Sequence, residues 1–188
     1  MMKLLEEFGR FVEIAGFADV KIGSEKDFVP VVRCKVPKDV ELQFFDAAVV
    51  ATWQHLFFAV LNALTAFKNG QTISKSLAVE IVLYASAQRQ IKKAIERVGV
   101  KATSKNVVAV IIGCNAGSVQ NALAIVKRCL CVEPDDSVLE LSPLKTERIK
   151  QVFNISDVQL AVASEKKNAE QALVDLVLEN MALLSTQI

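Results

Sequence analysis

Twenty-one consecutive residues, Ala47 to Phe67, carry no formal charge. A run of that length either crosses a bilayer as a helix or is buried inside a protein. Thr52, Gln54, His55, Asn62 and Thr65 interrupt it, and no second apolar run of that length lies beside it. A helix buried in a globular core is the better reading, and no membrane partner is expected. Trp53, Phe57, Val60, Leu64 and Phe67 recur at spacings of three and four, which predicts a helix over 52–68 with these residues as its buried stripe. Lys68-Asn69-Gly70 then stops it, with the glycine as a left-handed cap.

The next stretch, Ser76 to Ala87, is apolar almost all round and reads as a central helix. Its one polar row is Ser76, Glu80, Tyr84 and Gln88, four residues apart. A carboxylate inside LAVEIVLY is costly to bury without partners. Its expected role is to tie down a backbone amide or a nearby basic residue, in preference to a catalytic one. Helical character continues over 88–98, with Ile91, Ala94, Ile95 and Val98 facing inward and Arg89, Lys92, Lys93 and Arg97 facing out. Asn106 to Ile112 is a continuous Val/Ile run, the pattern of a strand buried on both faces.

Around this segment, Phe11–Ile22 reads as a strand bent near Gly16, and Val40–Phe45 as a short strand with Val40, Leu42 and Phe44 on one face. Residues 23–37 hold turn formers and two prolines, so a loop or irregular edge strand is expected. Helices are predicted over 118–130, 145–153 and 157–184, with a short strand over 138–141. Strands and helices do not alternate, which disfavours a doubly wound nucleotide fold. The expected class is α/β in the α+β sense: one domain over 1–188 with a small mixed or mostly antiparallel sheet flanked by helices.

Net charge is only +1, so no global attraction to polyanions is expected. Its distribution is uneven. Between Lys68 and Lys105 eight basic residues face two acids, leaving fourteen basic and nineteen acidic residues elsewhere. Such a zone is either a solvated face or a localised anion site. RNA fits it best: Arg89 and Gln90 at a helix junction offer planar donors, and Lys68 and Lys75 flank a helix N-terminus. A single-stranded RNA end would suit the arrangement.

Other chemistry is poorly supported. The only histidine, His55, sits in an apolar helix and reads as a hydrogen-bonded structural residue. Cys34, Cys114, Cys129 and Cys131 are irregularly spaced and read as reduced thiols of a cytoplasmic protein; no metal, cofactor or catalytic residue is expected. The start of the chain, MMKLLEEFGR, lacks the long apolar run of a signal peptide. Gly113-Cys-Asn-Ala-Gly117-Ser118 follows a strand and opens a helix, so its amides could cradle a phosphate. It lacks a Gly-Lys-Ser/Thr ending and reads first as a plain turn. It is the basis of the alternative function, a small nucleotide-binding module or enzyme.

Residues 43–101 resemble the PRPK-binding protein family, the small non-catalytic subunit of the KEOPS (EKC) complex. The resemblance is carried by the His55 helix, by Ile73-Ser74-Lys75-Ser76-Leu77-x-x-Glu80-Ile81, and by Ser86-x-Gln88-Arg89-Gln90-Ile91 with Ala94, Ile95 and Gly99. Phe153-x-Ile155 and the final helix resemble the family more loosely, and the first forty residues do so poorly. The resemblance implies an α/β fold and a protein that binds the KEOPS kinase/ATPase subunit. That complex attaches a threonylcarbamoyl group to the adenosine beside the anticodon of certain tRNAs, and archaeal members recruit tRNA by its CCA end. Carried onto this chain, tRNA contacts fall on Lys75, Ser76, Arg89 and Gln90, with Lys68 and Lys92 as outer contacts. Kinase contacts fall on Ile155, Leu176 and Met181, and the other KEOPS subunits would be reached indirectly.

Overall fold

Seven residues without a polar side chain, VVAVIIG, form β4 (Val107–Gly113), and all seven are buried in the computed structural model, which describes residues 2–23 and 25–184. A strand apolar on both faces belongs in the middle of a sheet, and β4 lies between β2 (Arg10–Phe17) and β3 (Val40–Asp46). Both neighbours are antiparallel to it: Gly113 faces Phe11 and Val40, and Val107 faces Phe17 and Asp46. β1 (Met2–Leu5) pairs antiparallel with the outer side of β2, which completes the order β1-β2-β4-β3. The helices α1 (Glu25–Arg33) and α5 (Ala116–Leu130) pack on the face that carries Phe17, Leu42, Phe44, Ala109 and Ile111.

This sheet unit is built from residues up to Ala47 and from Gly99–Val138; a second unit comprises Ala48–Val98 and the chain from Leu139 onward. The second is helical. Its elements are α2 (Trp53–Asn69), α3 (Leu77–Ser86), α4 (Ile91–Val98), α6 (Pro143–Phe153), α7 (Asp157–Ala163) and α8 (Ala169–Leu184). Within it α3 packs between α2 and α4, and α8 touches α2, α3, α6 and α7. The α+β class with an antiparallel sheet is as expected. Among the described residues no helix is long and apolar enough to cross a membrane.

Five local features differ from the sequence reading. Residues 23–37 hold the helix α1 despite Pro30. Phe28 stacks on Phe44 at 5.0 Å and Val32 is buried, so tertiary packing outweighs the lost N–H of the proline. Residues 138–141 form no strand; Asp136–Leu139 is a 3-10 turn. It closes the edge of β2 beyond β1: Asp135 N–H donates to Gly16 O at 2.8 Å, and Gly16 N–H donates to the Asp136 carboxylate at 2.9 Å. Residues Met2–Leu5, for which no strand was expected, form β1.

The buried stripe of α2 is also rotated from the predicted one. His55, Leu56, Ala59, Val60, Ala63 and Leu64 face inward, whereas Trp53 and Phe67 are 37% and 39% exposed. Ala59, Ala63 and Ala66 are all buried, so small side chains, and not the end aromatics, make up much of the inward face. On α4, Ala94 and Val98 are buried while Ile91 and Ile95 are exposed.

Candidate nucleic-acid interface

The helical unit is tied together by groups the sequence made conspicuous. His55 is fully buried on α2. Ala51 N–H donates to its Nδ1 at 3.2 Å, which leaves the proton on Nε2 to donate to Ala85 O at 2.8 Å. Burial pushes its pKa down to about 4, against the backbone bond to Ala85, with the Lys145 charge acting in the same direction as burial. It is therefore a neutral strut between α2 and the end of α3 at ordinary pH.

The loop between α2 and α3 is held at both ends. Gly70, at φ 67°, is the left-handed cap of α2, and Gln71 N–H donates to Ala66 O at 2.9 Å. Glu80, fully buried on α3, accepts the N–H groups of Ile73 at 3.1 Å and Ser74 at 2.7 Å. It is an internal tie to backbone amides. Ser76 is the N-cap of α3, accepting from Val79 N–H, and its own N–H donates to Ser74 Oγ.

At the other end of α3, Ala87 adopts φ 51° and turns the chain outward, which leaves Arg89 and Gln90 exposed before α4 begins. Lys68, Lys75 and Lys92 are exposed as well, while Ser76 is half-buried. Because α3 spans ten residues, the Lys75–Ser76 corner and the Arg89–Gln90 corner are separated by about 15 Å along its axis. The two corners therefore lie at opposite ends of α3.

A cleft of about 410 Å³ connects Arg89 to the α2–α3 loop. Asn62, Thr65 and Asn69 of α2 line one side, Gln71, Thr72 and Ile73 another, with Tyr84, Arg89 and Leu184 completing it. Burial raises the Tyr84 phenol above its usual range, the Glu80 charge adds to that, and Arg89 opposes it. The cleft thus combines side-chain amides, hydroxyls and one guanidinium, groups able to meet phosphate and base edges, while Tyr84, 5% exposed, backs it from the core. Sequence reasoning missed its α2 wall. The signal was present: Asn62, Thr65 and Asn69 recur at helical spacing within an apolar helix.

Arg97, counted in the basic zone, is spent internally. It donates to Ser86 O at 2.9 Å and lies 5.7 Å from the centre of the Phe153 ring. Ile155 and Met181 are 6% and 1% exposed, so they pack inside the helical unit and only Leu176 retains part of its surface. In the sheet unit, the Gly113–Ser118 turn is occupied by its own cap: Asn115 Oδ1 accepts Ser118 N–H at 2.7 Å. A Cβ on Gly113 would stand 3.0 Å from a Val119 methyl, so close packing accounts for that glycine.

A family profile described as kinase binding protein CGI-121 matches residues 27–185. The chain belongs to that family. The regulatory protein Cgi121 of Methanocaldococcus jannaschii is 34% identical over 116 residues, which span 62% of this chain and 72% of the relative. The resemblance carried by residues 43–101 is to this same family. Its profile begins within α1, so β1 and β2 lie outside the matched residues.

Proposed function

We propose that this protein is a non-catalytic, cytoplasmic, kinase-binding regulatory subunit of a KEOPS-type complex, and that it recruits tRNA by its CCA end for threonylcarbamoyl-adenosine modification. The kinase-binding part is supported by the family description and by the regulatory relative. The RNA part is supported above all by the cleft between Arg89 and the Gln71–Ile73 loop. The terminal nucleotides enter that cleft, and Arg89 and Gln90 meet phosphate and base edges there. Lys75 and Ser76 flank the entry to α3, and Lys68 and Lys92 act at longer range on the remaining phosphates. For the kinase, Leu176 is the surface contact on α8, with Ile155 and Met181 supporting the helices from within.

Filter binding with intact tRNA and with the same tRNA lacking its CCA end tests the RNA part. Intact tRNA is expected to bind more tightly, with log affinity falling linearly as log salt rises. Equal binding of both RNAs would refute recruitment through the CCA end. Co-purification with the kinase subunit tests the other part, and failure to form that complex would refute it.

A further inference from the structure

Three consecutive wall residues of the cleft, Gln71, Thr72 and Ile73, belong to the α2–α3 loop. That loop is fixed at entry by the left-handed cap at Gly70. At its exit the fixing group is Glu80, whose two oxygens take the N–H groups of Ile73 and Ser74. The packing of α3 itself has no need of a carboxylate there, since Ala78, Ile81, Val82 and Leu83 around it are buried and apolar. An aliphatic side chain would fill the space at lower desolvation cost. What a carboxylate adds is a hold on two backbone amides outside its own helix.

We propose that Glu80 is a positioning residue for the RNA-end cleft: it anchors the Ile73–Ser74 backbone so that the loop wall stands preformed before the ligand arrives. This rests on the RNA-end reading above. A preformed wall removes the ordering cost that a mobile loop would impose on every binding event. Glu80 touches no RNA in this scheme; it acts through the loop.

Two variants in the full chain test it. Glu80→Gln retains size but turns an amide donor toward one of the two N–H groups, and Glu80→Asp retains the charge while withdrawing it by one methylene. In both, amide hydrogen exchange at Ile73 and Ser74 should accelerate. Affinity for intact tRNA should fall about tenfold, as for a binding-competent loop whose population drops to about a tenth. Affinity for tRNA lacking its CCA end, and the salt slope, should stay at the wild-type values because the outer lysines are untouched. If wild-type protein binds both RNAs alike, the RNA-end reading falls, whereas the exchange data still report on the anchor. If wild type distinguishes the RNAs and both variants bind intact tRNA unchanged, Glu80 does not position the cleft. Weakening by Glu80→Gln alone would assign the effect to charge and overturn the anchoring role. Unfolding of both variants, or equal loss of intact and trimmed RNA, would make Glu80 an ordinary structural residue and overturn it too.

Discussion

Acid should unfold this protein partly through one imidazole. His55 is fully buried, and its pKa lies at about 4 against 6.5 for the exposed group. A depressed histidine binds its proton more weakly folded than unfolded, so its contribution to stability is complete above the unfolded pKa and is lost as pH falls from 6.5 toward 4. The loss by pH 4 is about 3 kcal/mol, from a shift of roughly two and a half units at 1.36 kcal/mol each, with the last fraction of a unit unrealised at that pH. The structural cause is specific. Protonation would place a hydrogen on Nδ1, where Ala51 N–H already points. His55→Gln offers one acceptor and one donor without titrating. It should cost about 1–3 kcal/mol at pH 7 if its geometry is imperfect. Urea unfolding of both proteins at intervals from pH 7 to pH 4 separates the two effects, because the carboxylates are common to both and cancel in the difference. Wild type should lose about 3 kcal/mol more than His55→Gln over that range. Parallel curves would refute the argument.

Three further substitutions probe the site and its supports. Arg89→Glu, at an exposed position, should leave the melting temperature within about 2 °C and weaken tRNA binding about tenfold at low salt, measured by thermal unfolding and filter binding; unchanged affinity with a lower melting temperature would make Arg89 structural. Gly16→Ala should destabilise by about 1–3 kcal/mol in urea, because a Cβ there would stand 2.4 Å from a Val138 methyl and 2.6 Å from Asp135 O. Ala87→Gly should raise stability by about 0.5–1 kcal/mol in the same assay, since Ala87 caps α3 at φ 51°, a conformation glycine adopts without strain.

Much of the fold was legible wherever the periodic signal and the burial had the same cause. The Val/Ile run of β4, the Lys68-Asn69-Gly70 stop of α2 and the apolar α3 are each fixed by burial and capping close by in the sequence. The role of Glu80 followed from the cost of hiding a charge, and its amide partners are within seven residues. The misses share a different cause. Pro30 pointed away from a helix that Phe44 and the rest of the sheet core stabilise from a distance. The 3-10 turn of Asp136–Leu139 is set by Gly16, 120 residues away from Asp136. Trp53 and Phe67 looked like core because they are large, but the buried face of α2 is the one that carries His55, Leu56 and the alanines. At the site, Arg89 and Gln90 are exposed as their position after α3 suggested, whereas the cleft wall on α2 depends on which polar residues of a mostly apolar helix remain outside the contact.

The helical unit is assembled from two stretches of chain with β4 and α5 between them. During synthesis α2, α3 and α4 therefore leave the ribosome well before α8, whose Leu173, Val177 and Met181 complete the core they share. For that interval the apolar sides of α2 and α3 destined for α8 have no native cover, and the sheet can close first around β4. Closing the helical unit needs contacts between residues about a hundred positions apart, as pairing β2 with β4 does, but its last partner, α8, is also the last helix to be made. A chain cut short after α5 would retain the strands but leave α2 and α3 sticky, so early termination here should yield an aggregating product and not a smaller working one.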